Sequence, residues 1–267
     1  MLRAFRLACH AAFCLCALPA VAETPPRERW NAPFGGQWHA YVTVESDYAQ
    51  SGVSSTQLKP AFQAGLDYQT PSLLGEDYPR LWAYGYIFGS NVSFPNTGDG
   101  VELDFAGGLK MRLMEGKLGL SLGYIRYTFP DIAASFGLEY GEVDAKLDYD
   151  FGPAYASFRL RWSPAGLGGV GETWNKRVLV SAPLTFVKLP FGASMQAYGS
   201  LGNNWVARPE AVGLPGNDYW YWQVGVVTSI WGLDITIAYT DTTIEPEGCG
   251  NTRYCAARAF VSVSKVF

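Results

Sequence analysis

A two-residue rhythm runs through almost the whole chain, and no other feature limits its fold as tightly. In the stretch 101–113, Val101, Leu103, Phe105, Leu109, Met111 and Leu113 fall in one phase, and Glu102, Asp104, Lys110 and Arg112 in the other. The stretch 154–163 sets Ala156, Phe158, Leu160 and Trp162 against Tyr155, Ser157, Arg159 and Arg161. Likewise Val143, Ala145, Leu147 and Tyr149 oppose Glu142, Asp144, Lys146 and Asp148, and Leu233, Ile235, Ile237 and Tyr239 oppose Asp234, Thr236 and Ala238. Cβ atoms alternate across a strand, so each segment carries one apolar and one polar face. Twelve such segments are expected, near 38–48, 60–70, 81–94, 101–113, 117–129, 138–150, 154–163, 176–187, 193–205, 219–230, 233–241 and 257–267. No linker, low-complexity tract or longer repeat interrupts them, so residues 38–267 are expected to form one domain.

Alternation alone also fits a soluble sandwich, so the choice rests on other features. Residues 1–22 read as an export signal: Arg3 and Arg6 precede an apolar core from Leu7 to Leu18, and Ala20-Val21-Ala22 is a small-x-small cleavage site. A polar lead with Pro25, Pro26 and Pro33 fills 23–37. Charged residues make up 16%, against about 25% in soluble proteins, which is too few for an ordinary wet surface. No later stretch approaches the ~18 apolar residues of a membrane helix. Tyr84, Tyr86, Tyr124, Tyr127, Trp162, Trp205, Trp220, Trp222 and Trp231 lie near segment ends, the positions of aromatic girdles in membrane barrels.

Connections also alternate in length. Met114–Gly116, Phe151–Pro153, Lys188–Gly192 and Trp231–Gly232 are short, whereas Ala165–Asn175, Val206–Asp218 and Thr242–Ala256 are long. Short periplasmic turns and long external loops have this asymmetry. Two connections break the rule: Pro71–Arg80 is long and Pro95–Gly100 short. In lipid every backbone N–H and C=O must be paired, so an open sheet edge is not viable. The expected fold is therefore all-β: a transmembrane antiparallel barrel of about twelve strands, with both termini periplasmic, in the cell outer membrane.

Cysteine usage agrees with export. Cys9, Cys14 and Cys16 lie in the signal; Cys249 and Cys255 remain, and an oxidising compartment makes them a loop disulfide. A metal site is the rival, but two thiols with no nearby His make a poor zinc ligand set. No metal or cofactor is expected. Removing Arg3 and Arg6 with the signal leaves 18 basic against 24 acidic residues, with no basic patch for nucleic acid.

Several stretches resemble the TorF-like family of porin-type proteins, also called the Gcw_chp family. They are Ser46-Asp47-Tyr48, Ser51-Gly52-Val53-Ser54, Pro60 to Tyr68, Gly89-Ser90-Asn91-Val92, Val101-Glu102-Leu103-Asp104, Gly123 to Pro130 and Leu138-Glu139-Tyr140. Order and spacing match best over residues 40–165; Ser51 stands where relatives usually have Arg. The resemblance implies an outer-membrane, channel-like protein and leaves its cargo open. The terminal Phe267 after an alternating strand resembles the signal read by the outer-membrane assembly machinery, with Lys265 departing from the usual pattern. That machinery, outer-membrane lipid and lipopolysaccharide, and small polar solutes or ions are the expected partners.

The strand phase points Glu45, Asp47, Asp67, Glu102, Asp104, Glu142, Asp144 and Asp148 inward, with Lys110, Arg112, Lys146, Arg159 and Arg161. One reading is a charged pore for passive diffusion of ions or small polar solutes, its acidic excess favouring cations. The other is a plugged barrel in which acids and bases satisfy each other and the external loops do the work. A barrel of this size lies between side-chain-filled and open ones. Catalysis is a third class; it would rest on His39 as base or on Glu102/Asp104, and no nucleophile or phosphate motif accompanies them. No catalytic residue is assigned.

Overall fold

Each of the twelve alternating segments forms a strand in the computed structural model, which describes residues 30–31, 35–75 and 77–267. They are β1 (Gln37–Glu45), β2 (Ala61–Gln69), β3 (Arg80–Phe94), β4 (Gly98–Leu113), β5 (Leu118–Thr128) and β6 (Tyr140–Asp150). Then follow β7 (Tyr155–Gly166), β8 (Gly171–Pro183), β9 (Ser194–Val206), β10 (Asp218–Ile230), β11 (Leu233–Thr242) and β12 (Arg258–Val266). Consecutive strands pair antiparallel, and β12 returns to β1 with Ser262 opposite Glu45 and Val266 opposite Tyr41. The sheet is thus closed and no barrel strand has an open edge. Trp30–Asn31 adds a short pairing to Gln37–Trp38. The export signal expected over 1–22, and most of the lead, lie outside the described residues.

The period-two pattern sorts the side chains as alternation demands. Val42, Phe62, Ile87, Phe105, Leu122, Leu147, Phe158, Val178, Leu201, Val224, Ile237 and Val261 are exposed on the outer face, one from each strand in order. Soluble monomers rarely expose apolar patches beyond a few hundred Å². A belt that encircles the molecule is a lipid-facing surface.

Strand β1 starts and β12 finishes at the same end, here called the terminal end; the other is the loop end. Strand lengths differ from expectation at the loop end. Strand β8 starts at Gly171, and β7 runs on to Gly166, with a register shift between Ser163 and Gly166. The expected long loop at 165–175 is therefore a tight turn through Leu167–Gly169, where Gly168, Gly169 and Gly171 take positive φ. Trp174 is a strand residue opposite Trp162 and Trp205, and the indoles of Trp162 and Trp174 both donate to Glu172. Tyr84, Tyr86 and Tyr127 correct the girdle assignment: they fall in the inward phase, and Tyr86 and Tyr127 are buried. Tyr124, Trp220 and Trp231 are exposed.

The segment joining β1 to β2 does not stand away from the barrel. Ala49–Gln50 pairs with Val53–Ser54 in a small hairpin, and Gln50, Ser55 and Thr56 are completely buried. Tyr48 packs in one interior cluster with Phe88, Tyr127 and Tyr140, and the rings of Tyr127 and Tyr140 stack at 4.4 Å. Val53 belongs to a second cluster with Val170, Val206, Val212, Leu214, Ile244 and the cysteines. The Cys249–Cys255 disulfide is formed, with Cα atoms 6.0 Å apart, and is buried within the loop-end cap.

Candidate functional site

The barrel interior is built in two storeys. At the loop end, the segment 46–60 reaches strands on several sides. The Gln50 amide donates to both Glu102 oxygens on β4 at 3.3 Å, and the Tyr48 hydroxyl donates to Oε1. Asn175 on β8 donates to Ser51 at 3.1 Å, and the Ser93 N–H at the end of β3 donates to the Ser55 carbonyl at 2.8 Å. Gly52 has φ +81°, and a side chain there would run into Thr242 and Tyr221. Arg258 on β12 donates to the Gly52 carbonyl and pairs with Asp47. Asp47 is buried and stands just beyond β1, where Ser54 and Thr56 also donate to it.

Below this constriction, one wall carries most of the predicted charges. Arg159 grips Asp144 with Nε at 2.6 Å and Nη2 at 2.8 Å, and Arg161 joins it at 3.2 Å. Arg161 also lies 3.8 Å from Glu142, to which the Tyr127 hydroxyl donates at 2.9 Å. Asp148 takes Arg112 and, at 3.4 Å, Lys146. Antiparallel register puts Arg161 directly opposite Asp144, whereas Arg159 stands opposite Lys146 and reaches Asp144 on the diagonal. Glu45 accepts from Gln63 at 2.9 Å. Lys110 lies 4.5 Å above the Tyr84 ring and remains exposed. Among the described residues, Asp104 Oδ1, Glu142 Oε1 and Gln50 Oε1 are buried without a hydrogen-bond partner.

The opposite wall, from β9 to β1, presents the neutral polar groups Tyr198, Ser200, Gln223, Thr236, Thr240, Ser262 and Thr43, interrupted by Ala238 and Phe260, which pack with Tyr198, and by the charged Glu45 and Arg258. Near the terminal end His39 Nδ1 sits 2.9 Å from Asp67, and this is its one side-chain hydrogen bond among the described residues. No hydroxyl nucleophile is joined to it. Phe267 is half-exposed just past β12, with its N–H donating to the Ala40 carbonyl and Lys265 over its ring.

The predicted charges on β4, β6 and β7 are thus brought together by direct ion pairs, whereas Glu45, Asp47 and Asp67 have Gln63, Arg258 and His39 as their partners. Sequence reasoning missed Gln50, Arg258 and Arg177. For Arg177 the signal was ambiguous: Lys176 and Arg177 are adjacent, so one cation must face in and the other out whichever phase is chosen. Among the described residues, no group of three or more His, Cys, Asp or Glu could hold a metal ion.

No curated protein is recognisably similar in sequence. Among solved structures, one reported under "Unveiling the Mechanism Behind the in-meso Crystallization of Membrane Proteins" is similar, with a TM-score of 0.50 at 10% identity over 86% of this chain and 83% of that one. The NanC porin (TM-score 0.47, 10% identity, 86% and 98% covered) and LpxR from Salmonella typhimurium (0.43, 10%, 86% and 99%) are further matches. At such identities the likeness extends to the fold alone. The closed sheet and encircling apolar belt are those of an outer-membrane β-barrel. Residues 32–267 match the family described as "Bacterial protein of unknown function (Gcw_chp)", and the chain belongs to that family.

Proposed function

We propose that the barrel is a narrow channel for passive diffusion of ions or small polar solutes across the outer membrane, constricted at its loop end by the segment 46–60. Both termini are then periplasmic and the loop end is external. The reading is carried by one contrast within a single strand phase. Lys110 faces the interior and stays accessible to water, whereas Glu102, eight residues away on the same face of β4, is sealed beneath Gln50 and Tyr48. Water thus reaches the wall at Lys110, while the loop end is closed by the segment 46–60. The plug is held by hydrogen bonds to Glu102 and Asp47, about 1.5–3 kcal/mol each for bonds to charged groups, and by Tyr48 and Val53 in the two apolar clusters.

The pairing pattern alters the expected selectivity. A count of acids favours cations, but Asp47, Glu142, Asp144 and Asp148 all lie against arginine or lysine. Single-channel recording of the refolded mature protein in a planar bilayer, in asymmetric KCl, tests the reading. Discrete current steps are expected.

A second reading has a specific observation in its favour: Val53, Val170, Val212, Leu214 and Ile244 join the loops into an apolar cap. A folded barrel that passes no current would make the protein a closed barrel acting through its outer loops. Lipopolysaccharide around the belt and recognition of Phe267 by the assembly machinery belong to either reading. A hydrolase is less favoured, since the one side-chain hydrogen bond of His39 among the described residues is to Asp67.

A further inference from the structure

We propose that the interior holds a binding site for the carboxylate of a small organic acid, centred on Arg177 just beneath the constriction. The proposal rests on the channel reading for its physiological meaning and on the following geometry for its chemistry.

Four cations occupy one cross-strand row. Lys110 on β4 faces Ser121 on β5, which faces Lys146 on β6; Lys146 faces Arg159 on β7, which faces Arg177 on β8. Neighbouring strands are about 4.8 Å apart, so the row extends roughly 19 Å. Barrel strands tilt by about 40°, so the row climbs the wall as a ramp instead of forming a level ring. Like charges directly opposite each other are destabilising in a sheet. The Arg159–Arg177 juxtaposition is therefore a cost the fold carries unless something anionic offsets it.

The protein's own acids offset it only in part, on the Arg159 side. Asp144 is gripped by Arg159 and Arg161, and Asp148 by Arg112 and Lys146. Among the described residues, no carboxylate lies within ion-pair reach of Arg177 or Lys110. Arg177 is partly buried, and its planar fork of donors matches the two oxygens of a carboxylate.

The surroundings shape the site. Across β9, Arg177 faces Gly202, and the Tyr221 ring lies over that glycine to donate to Asn175 at 2.9 Å. Asn175 in turn holds Ser51 of the constriction. Asn175 and Tyr221 thus roof the site, and the wall beyond carries Ser200, with Gln223 and Thr240 donating to the Tyr198 hydroxyl and the Trp222 carbonyl. That combination, a free guanidinium beside neutral hydrogen-bonding groups, fits a small hydroxylated acid better than a bare halide ion.

The test uses the full mature barrel in planar bilayers, with glucuronate, glucose and inorganic sulfate as probes added on the terminal side. Glucuronate is expected to block the KCl current in a saturable way, with glucose inert. Arg177→Gln should raise the half-blocking concentration about tenfold, the factor for losing one charge-assisted hydrogen-bonded pair, and move the reversal potential toward cations. Arg177→Lys should restore the reversal potential but only part of the block. Equal behaviour of glucuronate and glucose, or block unchanged in Arg177→Gln, would overturn the site. Sulfate blocking as well as glucuronate would overturn the carboxylate assignment in favour of a general oxyanion site. If the barrel passes no current, the channel reading fails by itself. Calorimetric titration of the detergent-folded protein then decides the site: glucuronate binding weakened by Arg177→Gln upholds it, and binding that is absent or indifferent to the substitution overturns it.

Discussion

Gln50 and Glu102 are 52 residues apart in sequence, yet the amide of one donates to both carboxylate oxygens of the other at 3.3 Å. Both side chains are sealed from water. Through this contact the segment 46–60 is held against the wall instead of extending from the rim. Gln50→Ala removes the donor and leaves a buried carboxylate oxygen unsatisfied, at a cost of about 1–3 kcal/mol. Limited proteolysis should then cut within 46–60 faster than in the parent protein, with the strands still protected.

Gly52→Val tests the same segment by steric means. The positive φ and the closeness of Thr242 and Tyr221 leave no room for a side chain. The hairpin tip must withdraw, and single-channel conductance should rise relative to the parent. Unchanged conductance would mean that the segment does not set the narrowest point.

Arg161 is 6% exposed and bridges Glu142 and Asp144. Arg161→Ala strands Glu142 with the Tyr127 hydroxyl and is expected to cost about 3–5 kcal/mol, as for other broken buried pairs. The unfolding midpoint in urea reads this directly. Arg177→Gln, which breaks no ion pair and removes the charge opposite Arg159, should leave that midpoint in place or raise it slightly.

The lipid-facing belt predicts a contrast between neighbours on β5. Leu122 is 60% exposed on the outer face, and Leu122→Arg should destabilise the folded barrel by about 2–4 kcal/mol if it lies near the bilayer midplane. Ser121 faces the interior opposite Lys146, and Ser121→Asn should be close to neutral. Urea titrations of both variants in phospholipid vesicles would show whether the two faces are so assigned.

Reduction of Cys249–Cys255, or the double serine variant, opens a short loop with a sequence separation of 6. The chain-entropy relation gives about 2 kcal/mol for such a loop. The effect should stay local: faster hydrogen exchange over 243–257, with the barrel strands unaffected.

All twelve strands were legible in the sequence to within a few residues, because lipid on one side and a polar interior on the other impose a strict alternation. Their ends were less so. Gly166 to Gly171 reads as a loop by composition, but its left-handed glycines make a tight turn that lets β7 and β8 run on. The inward phase of Glu102, Asp144, Asp148, Arg159 and Arg161 could be read from spacing. Their partners could not, since register between strands depends on where each hairpin turns.

The sequence by itself determined the class of protein: alternation, low charge and abundant aromatics admit a closed membrane sheet and little else. Only the tertiary structure decided what fills that sheet. That 46–60 folds inward, that Asp47 finds Arg258 at 211 residues' separation, and that no carboxylate among the described residues pairs with Arg177 all depend on contacts between distant strands. Period-two patterning tells each side chain which face to take, and it carries no information about what stands across the barrel.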